Sequence, residues 1–134
     1  MAPTIPAVFF EQAQRLARKP LFWVKRQGRY HPITWDEARQ TVRALSAYFL
    51  HVGITARDRI VILSENRPEW GMTDLAIQAV GGWTVPLYPS LMEHDIHQIF
   101  QDCEPVLCVA SSGEQARKLR VLQAQCPSIR GVLV

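Results

Sequence analysis

The run Ile60-Val61-Ile62-Leu63 is apolar without alternation and is bounded by Arg57-Asp58-Arg59 and Ser64-Glu65-Asn66. A strand with one solvated face alternates apolar and polar residues, so an unbroken run suits a strand covered on both faces, as in a parallel sheet sandwiched by helices. The residues beyond it keep the matching rhythm. Pro68 and Glu69 open a helix that Gly81-Gly82 closes, because proline fits the first turn and an acid there complements the helix dipole. Trp83 to Leu87 reads as a strand and Glu93 to Cys103 as a helix with Ile96, Ile99, Phe100 and Cys103 on one face. Val106 to Ala110 reads as a strand, Gly113 to Gln125 as a helix, and Gly131 to Val134 as a strand. Repeated strand-helix-strand units of this length predict an α/β fold with a parallel sheet under helical cover.

The region before this run has a different character. Val8 to Arg18 is read as a short helix, and Leu21 to Arg26 with Arg29 to Thr34 as a β-hairpin turning at Gln27-Gly28, where glycine supplies the positive φ of a two-residue turn. Thr34-Trp35-Asp36-Glu37 matches the T-x-x-E capping box. Behind it, Trp35, Ala38, Val42, Leu45 and Phe49 form one apolar stripe, and Gly53 stands at the helix end, which predicts a helix from Trp35 to about His51.

Composition narrows the classes. With 134 residues, 48% of them hydrophobic, the chain is about one domain in size and has enough apolar surface for a core. Leu75 to Met92, the longest apolar candidate, is interrupted by Gln78, Gly81, Gly82, Pro86 and Pro89, so no spanning helix is expected. The opening Met-Ala-Pro-Thr-Ile-Pro has no secretory pattern, which makes a cytoplasmic location the default expectation. Cys103, Cys108 and Cys126 are odd in number and lack C-x-x-C spacing, so they read as buried or half-buried thiols, not as a disulfide framework or zinc site.

Charge is segregated. Residues 1 to 59 carry ten Lys/Arg against four Asp/Glu, residues 60 to 110 one against seven, and the remainder four against one. Arg15, Arg18, Lys19, Lys25, Arg26 and Arg29 therefore form a basic region that is either a solvated face or a contact for an acidic partner or an anionic membrane. No nucleic-acid partner is expected, because no nucleic-acid-binding module signature accompanies these residues.

Few residues carry chemistry. Ser111-Ser112-Gly113-Glu114, between a strand and a helix, is either an anion-binding turn or a helix cap. The cap is favoured, since neither G-x-x-x-x-G-K-[ST] nor G-x-G-x-x-G occurs anywhere. His94 and His97, beside Glu93 and Asp95, have the spacing of two metal ligands without a third and read as surface histidines. Asp36, Glu37, Glu69 and Asp74 sit where capping and solvation account for them, and no nucleophile stands with a partnered base. No catalytic, cofactor-binding or metal residue is assigned.

The ordered segments Ile33-Thr34-Trp35-Asp36-Glu37, then Gly53-Ile54 with Asp58-Arg59-Ile60-Val61-Ile62-Leu63-Ser64-Glu65-Asn66-Arg67-Pro68-Glu69-Trp70, then Ala79-Val80-Gly81-Gly82-Trp83-Thr84-Val85-Pro86-Leu87-Tyr88-Pro89-Ser90, resemble the N-terminal region of AMP-forming acyl-CoA synthetases. The resemblance is strongest to the long-chain fatty-acid branch of that adenylate-forming superfamily, and it extends over residues 1–134 as the N-terminal part of an AMP-binding domain, with no second domain. It implies a two-step reaction. A carboxylate attacks the α-phosphate of Mg-ATP to give acyl-adenylate and pyrophosphate, and the CoA thiol then displaces AMP. ATP, Mg2+ and CoA are implied as cofactors, with a fatty acid as substrate and the remainder of a synthetase chain as partner. The family's phosphate loop with its lysine, its Tyr-Gly-x-Thr-Glu segment, its ribose-binding aspartate and its C-terminal lysine have no match here. The helix after Pro89 also departs from the family's Ser/Thr-Pro-Glu start, and Ser90 with Glu93 is expected to supply a capping box instead.

The last strand has no helix behind it, so the sheet reads as interrupted and the chain as a leading piece that is inactive alone. Val132, Leu133 and Val134 are then expected to be poorly covered, with self-association through the sheet edge and peripheral membrane contact through the basic region as further expectations. Two other readings stand beside this one: a non-catalytic interaction module, and a free-standing nucleotide-binding domain, which the missing glycine fingerprint disfavours.

Overall fold

The computed structural model describes residues 2–134. Eleven elements run in order: α1 (Ile5–Leu16), β1 (Pro20–Arg26), β2 (Arg29–Thr34), α2 (Trp35–His51), β3 (Arg59–Leu63), α3 (Pro68–Ala79), β4 (Trp83–Leu87), α4 (Glu93–Cys103), β5 (Leu107–Ala110), α5 (Gly113–Gln123) and β6 (Val132–Leu133). β1 and β2 form an antiparallel hairpin, and the other four strands form a parallel sheet in the order β4-β3-β5-β6.

Strand β3 lies inside this sheet and its side chains part to two cores. Val61 and Leu63 face α4 and α5, where Ile96, Phe100, Ala116, Leu119 and Leu122 close over them with Cys108 and Ala110 of β5. Ile60 and Ile62 face the opposite layer, packed with Val42 and Phe49 of α2, Met72, Ala76 and Ile77 of α3, and Leu107 of β5. Ile60, Val61 and Leu63 are wholly inaccessible to solvent. Two-sided burial is what the unbroken apolar run requires.

The capping box forms as expected. The Glu37 backbone N–H donates to Thr34 Oγ1 at 3.2 Å, and the Thr34 backbone N–H donates to Glu37 Oε2 at 2.7 Å. The hairpin turn takes positive φ at both central residues, Gln27 at 50° and Gly28 at 75°, which matches the twist of the flanking strands. Gly82 allows close packing: a Cβ there would sit 3.0 Å from Ile77 Cγ2 and 3.1 Å from Ile60 Cδ1.

Several boundaries differ from those expected. α1 runs from Ile5 to Leu16 and not from Val8 to Arg18, because Thr4 Oγ1 accepts the Ala7 N–H and Pro6 occupies the first turn. It ends early because the Lys19 N–H turns back to the Leu16 carbonyl and β1 then starts at Pro20. β5 starts at Leu107, α5 stops at Gln123, and β6 is confined to Val132–Leu133. Ser90 and Glu93 do not form a capping box. The cap of α4 is Met92, whose carbonyl accepts the Asp95 and Ile96 N–H groups with no side-chain cap. Among the described residues no helix is long and apolar enough to cross a membrane.

Phe100 is 1% exposed, within the α4–α5 core. Phe100→Ala is expected to cost about 3–5 kcal/mol in equilibrium urea unfolding, whereas Tyr88→Ala, at a residue 75% exposed, is expected to stay within about 0.5 kcal/mol.

Candidate functional site

In an open parallel sheet the loops at the carboxyl ends of the strands form a crevice where successive crossovers depart to opposite faces. Here the chain leaves β3 through α3, on one face, to reach β4, and leaves β5 through α5, on the other, to reach β6. The loops after β3 and β5 therefore flank the crevice, and a hydrogen-bonded network joins them. The Ser111 N–H donates to the Leu63 carbonyl at 3.1 Å. Ser111 Oγ donates to Glu65 Oε2 at 2.6 Å, and Arg67 donates through Nε to Glu69 Oε2 at 2.9 Å and through Nη1 to the Ser111 carbonyl at 3.3 Å. A looser ion pair of 3.6 Å links Arg67 to Glu65.

Below this network lies an open cavity of about 470 Å³. Its floor is Ile62, Val109 and Leu133, and its walls include Leu45 and Tyr48 of α2 with Trp70 and Met72 of α3. Val134, at its mouth, is 70% exposed, and Val132 and Leu133 are only half-buried, in keeping with the expected thin cover of this edge.

The electrostatics favour fixed charges. The Ser111 hydroxyl holds the Glu65 carboxyl below its ordinary range, and the Arg67 guanidinium does the same for Glu69. Arg67 is raised in turn by its bond to Glu69. Both acids are therefore ionised acceptors near neutrality, unsuited to general acid work, and Ser111 has a carboxylate partner that receives its proton without an imidazole to relay it.

The other singled-out residues lie elsewhere. Ser112 is the N-cap of α5, with its Oγ accepting the Gln115 N–H at 3.3 Å, so the cap is the role observed in Ser111-Ser112-Gly113-Glu114. Asp36 accepts from Arg39 at 2.6 Å and from Gln40 at 2.8 Å. Asp74 is more than solvated: it accepts from Thr84 at 2.6 Å and Gln78 at 2.8 Å, tying α3 to β4. His94 Nε2 lies 3.1 Å from Asp95 Oδ1, and His94 and His97 line a shallow groove between α4 and α5 that includes Leu122 and Gln125. Among the described residues, no three His, Cys, Asp or Glu side chains gather as metal ligands. All three cysteines are free; burial pushes each thiol up, Cys108 to about 12.

Residue type alone marks neither Arg67 nor its partner Glu65, whereas Ser111 stands in the Ser111-Ser112-Gly113-Glu114 turn read above as an anion-binding turn or a cap. The available signal was position: Ser64-Glu65-Asn66-Arg67 comes directly after a strand buried on both faces, at the carboxyl edge where parallel sheets build sites.

The family model for AMP-binding enzymes matches residues 9–134. This chain belongs to that family. It is 35% identical over 106 residues to the long-chain-fatty-acid–CoA ligase FadD15 of Mycobacterium tuberculosis, covering 79% of this chain and 18% of that protein. It is 25% identical over 134 residues to the Drosophila melanogaster long-chain-fatty-acid–CoA ligase heimdall, covering 97% and 20%. Among solved structures it superposes on an acetoacetyl-CoA synthetase from Streptomyces lividans with a TM-score of 0.84 at 24% identity, over 95% of this chain and 21% of the other. It also superposes on the A-PCP didomain of a carboxylic acid reductase from Segniliparus rugosus, with a TM-score of 0.86 at 13% identity, over 98% and 21%. These superpositions establish the fold. The chain spans about a fifth of the length of the curated relatives it matches.

The crevice does not by itself fit a nucleotide triphosphate or its magnesium. Its one guanidinium is committed to Glu65, Glu69 and the Ser111 carbonyl, and the nearby α5 N-terminus is capped by Ser112.

Glu69→Gln is expected to lower stability at pH 7 by up to about 1 kcal/mol, because this pair is partly solvent-screened. The folded carboxyl titrates below its ordinary 4.5, so the contribution is complete above that pH and fades as pH falls through the depressed folded value. Melting temperatures of the two proteins, measured across this range, are expected to converge in acid. Thiol labelling at pH 8 is expected to leave Cys108 unmodified in the folded chain and to reach it only in denaturant, read by mass spectrometry of the labelled peptides.

Proposed function

We propose that this chain is the N-terminal, sheet-building part of an ATP-dependent, AMP-forming long-chain fatty-acid–CoA ligase. The observation that carries the reading is the 35% identity to FadD15 over 106 residues, 79% of this chain. In that reaction the carboxylate oxygen attacks the α-phosphorus of ATP and pyrophosphate leaves. The CoA thiol then attacks the acyl carbonyl, and AMP leaves.

On this reading the 134 residues supply architecture and no catalytic group. Ser111, Glu65, Arg67 and Glu69 satisfy one another, which holds the two carboxyl-end loops at fixed separation. The apolar cavity beneath them, open past Leu133 and Val134, is the surface against which the remainder of a ligase packs. The phosphate-binding and adenine-contacting groups belong to that remainder, as do the acid and CoA sites.

The test is ATP–pyrophosphate exchange with a panel of fatty acids. It is run on the 134-residue chain and on a chimera in which this chain replaces the matched 106-residue segment of FadD15. Exchange with long-chain acids by the chimera and none by the chain alone is the expected outcome. Exchange by the chain alone would overturn its purely architectural role. A chimera that melts like FadD15 yet exchanges nothing would overturn the ligase reading in favour of an interaction module.

A further inference from the structure

The β1–β2 hairpin is a two-stranded ribbon with two free edges, and the edges are not equivalent. Its two-residue turn makes Arg26 and Arg29 a hydrogen-bonded pair, and such pairs alternate along the ribbon with pairs that do not bond. Val24 with His31 is therefore bonded, whereas Trp23 with Pro32 and Lys25 with Tyr30 are not. The backbone N–H and C=O groups of Trp23 and Lys25 consequently point away from β2, and no backbone hydrogen bond from another described segment reaches them. Tyr30 and Pro32 hold the outward positions of β2, and Pro32 has no N–H to offer, which blunts that edge. The open edge belongs to β1.

A groove of about 390 Å³ lies beside that edge, between β1 and the start of α3. Phe22, Trp23, Pro68, Trp70 and Gly71 are among its lining residues, and no residue of β2 is. Trp23 is 57% exposed, and Phe22 and Trp70 are half-buried, so the groove is aromatic and accessible. Side chains alternate along β1: Phe22, Val24 and Arg26 project toward the α2–α3 layer, Trp23 and Lys25 to the opposite side. A strand added to the edge has its alternate side chains sorted in the same way, one set to the groove and the other beside Lys25. The charge it meets is of one sign. From Gln12 to Trp35 the chain carries six Lys/Arg and no Asp/Glu, and among the described residues none of the six forms an ion pair. A second copy is a poor occupant, because β1 beside β1 sets Lys25 and Arg26 against like charges. An acidic strand meets no such penalty and gains the unpaired cations.

We propose that β1 accepts an extended acidic peptide of a partner protein as a third, antiparallel strand, with alternate apolar side chains in the Phe22–Trp70 groove and the intervening carboxylates beside Lys25. Main-chain bonds to Trp23 and Lys25 supply affinity, the groove selects the alternate side chains, and the cations of the turn, Arg26 and Arg29, draw the acids in. In an antiparallel pair the directly opposed residues project to one side, so the peptide residues that bond to Trp23 and Lys25 are the acidic ones. The proposal stands on the hairpin and the start of α3 and is independent of the ligase reading.

The experiment titrates the 134-residue chain into a capped, fluorescein-labelled octapeptide of alternating glutamate and valine, read by fluorescence anisotropy. Saturable binding is expected, and it should weaken as salt rises. N-methylation of the glutamate amides is expected to weaken binding on the order of tenfold, and N-methylation of the valine amides to leave it within about twofold. On the protein side, Lys25→Pro removes the outward N–H and leaves the ladder to β2 intact; it is expected to bind about tenfold more weakly than Lys25→Gln, which removes only the charge. K25Q/R26Q/R29Q is expected to lose about tenfold. A control of equal charge, R43Q/R117Q/R120Q, removes exposed arginines from α2 and α5 and is expected to bind like the parent. Equal binding of the two N-methylated peptides would overturn the proposal, whether or not Lys25→Pro folds. So would equal loss in the two triple variants, which reduces the effect to net charge, or no binding up to about 1 mM. A dimer in sedimentation velocity that excludes the peptide and that Lys25→Pro dissolves would overturn it in favour of a second copy.

Discussion

The structure depends on burying β3 from both sides. Its pairing with β4 and β5 makes it an interior strand, and its alternate side chains bind two otherwise separate cores into one sheet. α4 and α5 rest on Val61 and Leu63, α2 and α3 rest on Ile60 and Ile62, and β5 divides in the same way, with Cys108 and Ala110 in the first core and Leu107 in the second. At roughly 25 cal/mol per Å² of apolar surface removed from water, four large aliphatic side chains on one short strand contribute several kcal/mol. They also forbid a one-residue slip, which here would exchange the two cores' side chains wholesale.

That constraint explains where the polar groups collect. A parallel strand buried on both faces delivers its backbone, at its carboxyl end, to a loop that cannot continue the ladder, and the freed groups need partners. The Leu63 carbonyl finds the Ser111 N–H, and Ser111 in turn engages Glu65 and Arg67. The network is a product of the sheet's topology before it is anything else. Its members neutralise one another, so the crevice combines an apolar floor with a saturated polar rim. Such a surface suits packing against further polypeptide better than capture of a free anion.

Much of this was legible in the residues. The unbroken run Ile60–Leu63, the Thr34/Glu37 box and the Gln27-Gly28 turn each obey a local rule, and each stands where that rule places it. Interactions that join distant segments were not legible. Ser111 and Glu65 are 46 positions apart and meet because β5 lies beside β3, an order that no local pattern encodes. Asp74 reads as a solvated acid until β4 brings Thr84 beside it. The start of α4 failed for the opposite reason: Ser90 and Glu93 satisfy the capping pattern, but the chain enters the helix at Met92, so the serine lies too early to cap.

The segregation of charge has a structural counterpart. Acids at the ends of β3 are used internally, Glu65 and Glu69 with Arg67 beyond its carboxyl end and Asp58 with Arg130 at 3.5 Å before its start. The N-terminal cations have no such employment, since the hairpin and the end of α1 contain no acid to meet them. A surplus of unpaired like charge works against compaction through self-repulsion, so its concentration on an exposed ribbon places it where that repulsion is best screened by solvent. The same placement leaves the cations accessible, and the neighbouring Trp23 and Tyr30 make the ribbon amphipathic across its width. The surplus charge is thus kept apart from the core: stability rests on β3 and the two cores it joins, and the hairpin reaches one of them through Leu21, Phe22 and Ile33 at its base.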